Sequence, residues 1–212
     1  MNQFKYIIIE GLIKSGKTLL STRMAELFNY RLIIDNKENP YIDDFHRSIS
    51  KPNNSSALKT QLIFLLNRNS QQLEIKQKGL FQQTTISDYF FFKDAIYAHA
   101  TLEEEDLKIY KKIFENFSKN LMQPDIIVYL QISFKEMLRR IKEYGTDAEK
   151  EVPETYWRDI FEAYNYYFFN YRQTPIIIVN TENIDFENNE KLERLFSEIL
   201  NHKQGVKYYA QG

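Results

Sequence analysis

The octapeptide Gly11-Leu12-Ile13-Lys14-Ser15-Gly16-Lys17-Thr18 fits the pattern G-x-x-x-x-G-K-[ST], and its setting limits what can surround it. It follows a compact β-branched and aromatic run at residues 4–9 and opens a helical pattern at residues 17–28. That is the strand-to-helix context in which such a loop cradles phosphate. The two glycines let the backbone curl so that successive N–H groups face one anion, and the following helix adds its positive end. In that arrangement Lys17 reaches the β- and γ-phosphates, and the Thr18 hydroxyl ligates Mg²⁺. Gly11, Lys14, Ser15, Gly16, Lys17, Thr18 and Leu19 are therefore the candidate ligands of a nucleoside triphosphate. The competing explanation is an accidental turn. At average residue frequencies the pattern arises by chance in about 1% of chains this long, and two of only six glycines fall inside it.

Three further short apolar runs, at residues 31–35, 125–131 and 175–180, and a weaker one at 84–87, read as strands buried on both faces. Helical patterns at residues 56–78, 103–120, 133–143, 153–171 and 188–201 separate them. Strands alternating with long helices imply right-handed crossovers, hence an α/β fold with a five-stranded parallel sheet flanked by helices. One domain is expected over residues 1–203, with a charged lid around Gly145 at 142–152 and a loosely held tail at 204–212. A polar loop is expected at 47–55. The aromatic residues of 153–171 read as core and subunit packing rather than as a ligand platform.

Composition narrows the chemistry. With 28 basic and 29 acidic residues the net charge is −1, so no global positive field draws the chain onto nucleic acid or anionic lipid. There is no cysteine, which removes disulfides, thiolate metal sites and a cysteine nucleophile, and fits a reducing, cytoplasmic setting. The three histidines, His46, His99 and His202, are too dispersed for a zinc motif. Any metal must then use oxygen ligands. No run approaches the ~18–20 apolar residues that span a bilayer. A GTPase is disfavoured because the last strand ends in Val179-Asn180-Thr181-Glu182 rather than a base-reading Asn-Lys-x-Asp. Small size favours a metabolite kinase over a motor.

Several stretches, in order and spacing, resemble the deoxynucleoside kinase family, in particular its bacterial deoxyguanosine and deoxyadenosine kinases. They are Ile9-Glu10-Gly11, Glu38-Asn39-Pro40-Tyr41, the segment from Gln61 to Arg68, Ile86-Ser87-Asp88-Tyr89, Lys93-Asp94-Ala95-Ile96-Tyr97-Ala98 and Pro124-Asp125-Ile126-Ile127. The resemblance implies transfer of the ATP γ-phosphoryl group to the 5′-hydroxyl of a deoxynucleoside, leaning towards purines, by a homodimer joined through a helical face. It implies that Gln61, Arg68 and Asp94 hydrogen-bond the base, that Asp35 is the general base, and that Asp88 helps hold Mg²⁺. It further implies that Arg140 clamps the transferred group, that Glu149 and His46 serve the sugar, and that residues 179–186 meet the adenine.

Most of these residues also have a plainer reading. Gln61 and Arg68 can be solvated, Asp35 a strand-end turn acid and Asp88 a helix cap. Glu149 can be a solvated helix end, and His46 an exposed loop residue. The chain also departs from the family pattern. Asp35 stands where Glu is usual, Tyr89 replaces an arginine, and Tyr144-Gly145-Thr146 occupies the lid's Arg-Gly-Arg segment, leaving Lys142 and Lys150 to supply charge. Those losses keep open a nucleotide-binding regulatory protein on the same fold. Thymidylate kinase is a nearer rival, although its Asp-Arg-Tyr signature is missing.

Overall fold

The computed structural model describes residues 4–35, 38–49, 56–78, 83–182 and 184–209. The elements run β1 (Tyr6–Gly11), α1 (Lys17–Phe28), β2 (Arg31–Ile33), α2 (Ile42–Ser48), α3 (Ala57–Lys78), β3 (Thr85–Ser87), α4 (Lys93–Thr101) and α5 (Glu104–Ser118). They continue with β4 (Ile126–Gln131), α6 (Phe134–Tyr144), α7 (Asp147–Glu151), α8 (Glu154–Asn170), β5 (Ile176–Asn180), α9 (Asn189–Asn201) and β6 (Val206–Tyr209).

All strands are parallel, in the order β2-β3-β1-β4-β5-β6. The two-residue period of a strand sends alternate side chains to opposite faces. Tyr6, Ile8, Ile127, Tyr129, Ile176 and Ile178 therefore join the core beneath α4 and α8. Ile7, Ile9, Val128, Leu130, Ile177 and Val179 pack instead with Leu20 and Met24 of α1 and with Leu192, Leu195 and Phe196 of α9. Burial on both faces explains why these strands read as continuous apolar runs.

Among the described residues the sheet has six strands, not five. The stretch expected to be a loose tail supplies the sixth, because Val206–Tyr209 is rich in β-formers and β5 offers an unpaired edge. Ile176 faces Val206 and Val179 faces Tyr209, while Lys207 pairs with Glu198 on α9. Residues 210–212 lie outside the described residues, as do 50–55 of the expected polar loop, whose beginning belongs to α2. The expected lid contains α7, opened by a capping box in which Thr146 Oγ1 accepts from Glu149 N at 3.2 Å and Glu149 Oε2 accepts from Thr146 N at 2.7 Å. Tyr156, Trp157, Ile160, Tyr164 and Phe168 of α8 are buried, and Phe168 stacks on Tyr129 at 4.3 Å between ring centroids. Among the described residues no helix is long and apolar enough to cross a membrane.

The chain leaves β1 for one side of the sheet and later returns to β4 on the other. The carboxyl ends of β1, β2, β3 and β5 thus deliver Gly11, Asp35, Asp88 and Thr181 to one edge, where open α/β sheets bind ligands.

Candidate active site

The loop after β1 has the conformation its sequence demands. Gly16 caps α1 with φ 96°, and a Cβ there would lie 3.0 Å from the Phe186 ring, so the loop after β5 sits directly against it. At Gly11 a Cβ would come within 2.5 Å of the Leu130 carbonyl oxygen. The loop is braced from outside. Arg140 donates to Lys14 O at 3.1 Å and to Thr181 O at 3.2 Å, and Thr181 Oγ1 donates to Ser15 O at 3.1 Å. Lys17 Nζ donates to the loop's own Leu12 O at 3.0 Å. Burial, together with the nearby Lys93 charge, pulls the Lys17 ammonium down to about 8. An anion bound there would relieve that cost.

Beside the loop, Asp88 links the phosphate side to the acceptor side. Its Oδ2 accepts from Thr18 Oγ1 at 2.5 Å and its Oδ1 accepts from Asp35 N at 2.5 Å. The Asp35 carboxylate receives Arg68 through two bonds, Nε at 2.9 Å and Nη2 at 2.7 Å, and also Lys93 Nζ at 2.9 Å. Arg68 extends its remaining nitrogen, Nη1, to Asp94 Oδ1. Gln61 and Arg68 lie seven residues apart on α3, two turns of helix, and so share a face. All four charged groups are shielded from solvent.

Burial alone would raise the Asp35 carboxyl, but Arg68 and Lys93 outweigh it and hold Asp35 well below the usual carboxylate range. Lys93 moves above its ordinary value because Asp35 more than offsets its own burial. For Asp94 the balance reverses. Burial exceeds its share of Arg68, and the carboxyl is pushed up to about 6, with Oδ2 lacking any hydrogen-bond partner among the described residues.

That shift has a testable sign. A carboxyl whose folded pKa exceeds its unfolded value of about 3.9 costs nothing below the latter and destabilises the fold as pH rises through about 6. Denaturant titrations should therefore find that Asp94→Asn gains about 1 kcal/mol on the wild type between pH 5 and pH 7.5. A gap independent of pH would show Asp94 to be unshifted.

A cavity of about 540 Å³ joins the two halves of the site. Its lining includes Lys14, Gly16, Lys17 and Thr18 from the phosphate loop, and Asp35, Gln61, Arg68 and Asp88 from the acceptor side. Phe64, Tyr97, Tyr156 and Trp157 give it aromatic walls. Tyr156 and Trp157 thus serve the cavity as well as the core role expected of them. Gln61 is buried and donates to Thr101 Oγ1 at 3.2 Å. His46 lies on the wall near Trp157, and burial lowers its pKa. Glu149 also lines the cavity, paired with Lys14 at 3.0 Å.

Three expected ligands sit elsewhere. Asp94 is fully buried behind Arg68 rather than on the wall. Arg140 is occupied with Glu136, with the loop carbonyl of Lys14 and with the carbonyl of Thr181 after β5, and it does not line the cavity. Leu19 exposes its side chain, which leaves only its backbone for a phosphate. Lys142 and Lys150 are exposed and do not line the cavity. Tyr89 is buried against Arg68, its ring centroid 5.8 Å from the guanidinium carbon, and it cannot replace a cation.

Two further residues shape the site. Lys93 follows three phenylalanines, and a charge closing so apolar a run was the available signal. Glu10, fully buried at the end of β1, accepts from Gly11 N at 2.8 Å and Phe90 N at 2.6 Å, and so ties the phosphate loop to the segment before α4.

A phosphate loop at the carboxyl edge of a parallel sheet, opening into an adjoining cavity, defines a P-loop phosphotransferase. Within that class the chain belongs to the deoxynucleoside kinase family, whose model, described as "Deoxynucleoside kinase", matches residues 7–203. It is similar to the deoxyguanosine kinase of Bacillus subtilis, with 32% identity over 166 residues, 77% of this chain and 78% of that protein. It is likewise similar to the deoxyadenosine kinase of Dictyostelium discoideum, with 30% identity over 82% of this chain and 71% of the relative. Among solved structures, deoxyadenosine kinase from M. mycoides with bound dATP shares the fold, with a TM-score of 0.76 and 23% identity across 91% of this chain and 98% of the other.

Proposed function

We propose that this protein is an ATP-dependent deoxynucleoside kinase, phosphorylating the 5′-hydroxyl of purine deoxynucleosides in preference to pyrimidine ones. The observation that carries the reading is the single cavity running from Lys17 and Thr18 to the Gln61–Arg68 face. The names of the relatives, deoxyguanosine and deoxyadenosine kinases, support the purine preference.

In this reading the backbone of residues 11–18 and the Lys17 ammonium hold the triphosphate, and the loop carrying Phe186 meets the adenine. Gln61 and Arg68 receive the base, while Asp94 holds Arg68 in register. Glu149 and His46 face the sugar. Asp35 accepts the 5′-hydroxyl hydrogen bond. The new phosphorus–oxygen bond forms as the bond from the γ-phosphorus to the bridging oxygen breaks, ADP leaves with the electron pair, and the hydroxyl proton passes to Asp35.

A hydroxyl and a carboxylate, 2.5 Å apart at Thr18 and Asp88, are the oxygen donors that suit Mg²⁺. No cluster of three or more His, Cys, Asp or Glu able to hold a metal occurs among the described residues, which fits an ion held mainly by substrate phosphates. When bound, the ion would neutralise charge on the β- and γ-phosphates.

Tyr166 and Phe169 of α8, 76% and 66% exposed, offer an apolar face that supports the implied homodimer. One purified sample tests both points. Light scattering should return twice the mass of the 25.5 kDa chain. ATP-dependent phosphorylation, measured across the four deoxynucleosides with Lys17→Ala as the control, should be fastest on deoxyguanosine or deoxyadenosine. Tight ATP binding with no turnover on any of them would favour the regulatory alternative.

A further inference from the structure

We infer that Lys14 is a catalytic residue of this kinase, the cation that contacts the transferred phosphoryl group, carried by the phosphate loop itself rather than by the lid. The inference rests on the kinase reading above and adds a role to a residue so far counted only as part of the loop.

Phosphoryl transfer spreads negative charge over three equatorial oxygens, and a cation placed on them contributes strongly to the rate. The lid cannot supply it. Tyr144, Gly145 and Thr146 carry no charge, and Lys142 and Lys150 are exposed and are not among the residues that line the cavity. Arg140 does not line the cavity either and is held by Glu136 and two backbone carbonyls.

Among the described residues, the lysines and arginines on the cavity wall are Lys14, Lys17, Arg68 and Lys93. Arg68 and Lys93 are buried and committed to Asp35 and Asp94. Lys17 serves the β- and γ-phosphates. Lys14 alone among the four pairs with an acid on the lid. Its ammonium lies 3.0 Å from Glu149, in a pair that keeps about a quarter of the lysine side chain accessible. A long, flexible stem would let that ammonium turn from one carboxylate to a triphosphate bound in the cavity that Lys14 lines.

The backbone gives an independent reason. Lys14 has φ 59°, in the left-handed region where glycine is favoured, and its carbonyl is fixed there by Arg140. A glycine would meet the conformational need without strain, so the lysine side chain calls for an explanation of its own. The Glu149 pair parks the cation at the cavity mouth when no triphosphate is present. Binding of ATP draws the cation inward and frees Glu149 for the sugar. The transfer itself is unchanged: the oxygen–phosphorus bond to the 5′-hydroxyl forms, the bond to ADP breaks with its electron pair, and the proton leaves through Asp35.

Lys14→Gly tests this without a folding penalty, because glycine relieves the positive φ. It should lower kcat at least 100-fold while leaving the melting temperature no lower and the deoxynucleoside KM within about threefold. Lys14→Arg should keep at least a tenth of wild-type kcat, and Lys14→Gln should behave like Lys14→Gly. Binding of ADP with aluminium fluoride and deoxynucleoside should weaken in Lys14→Gly by a factor similar to the kcat loss, with binding of ADP alone unchanged. A kcat for Lys14→Gly within threefold of wild type, or equal rescue by Arg and Gln, would overturn the assignment. Absence of wild-type turnover would instead count against the kinase reading, so the two failures are distinct.

Discussion

Arg68→Met is expected to lower the unfolding free energy by about 3–5 kcal/mol and to raise the deoxynucleoside KM at least tenfold. The side chain is buried and makes two bonds to Asp35 and one to Asp94. Removing it leaves two carboxylates in a space with one remaining ammonium, Lys93. An uncompensated buried charge costs far more than a surface pair does. At about 2–4 °C per kcal/mol for a domain of this size, the melting temperature should fall by roughly 6–20 °C. Adding Asp94→Asn to the variant should recover part of the loss, since it removes the carboxylate left without a cation and leaves Asp35 paired with Lys93. A drop below about 1 kcal/mol, read by denaturant titration, would mean that water or rearrangement already compensates the cluster. The KM effect is separable, because Arg68 also forms part of the cavity wall while Asp94 does not.

The same cluster marks how far the sequence can be read without coordinates. The phosphate loop was legible because its function constrains a contiguous octapeptide, and helix 17–28 matches α1 residue for residue. The strands were legible because burial on both faces leaves uninterrupted apolar runs. Gln61 and Arg68 were legible as a pair because a seven-residue spacing closes two helical turns. The Asp35–Lys93 contact was not. It spans 58 residues and depends on how α4 packs on α3 at the end of β2, which no local periodicity encodes. The Lys14–Glu149 pair joins residues still further apart in the chain and depends on where α7 packs beside the phosphate loop. Arg140 shows the opposite limit. Its place on the helix follows from the sequence, but its partners, Glu136, a loop carbonyl and Thr181 O, do not. Strand β6 was missed because four residues cannot show whether they will pair until the edge of β5 is available beside them.

Asp35→Asn is expected to reduce kcat by about 10²–10³ with little change in ATP binding. Arg68 and Lys93 keep the Asp35 carboxylate ionised far below neutral pH, and a carboxylate so stabilised is a weak base. It cannot take the 5′-proton early. In a loose transition state it need not, because the nucleophile gains acidity only once its bond to phosphorus has begun to form. In the proposed reaction the task left to Asp35 is to accept the hydroxyl's hydrogen bond and so orient the oxygen lone pair towards phosphorus, and its contribution should lie at the lower end of the usual range for general bases. Two consequences separate this account from that of a poised base. Between pH 6 and 9 the wild-type kcat should show no inflection attributable to this group. Asp35→Glu, which keeps the charge on a side chain one methylene longer, should retain activity to within about tenfold where Asp35→Asn does not. Asparagine keeps an oxygen acceptor but no charge, and it leaves Lys93 facing a neutral partner. Part of the loss should therefore appear as lowered stability, by about 1–3 kcal/mol, measurable apart from turnover. If Asp35→Asn turns over at the wild-type rate, the proton leaves by another route and Asp35 serves only to hold Arg68 and Lys93 in place.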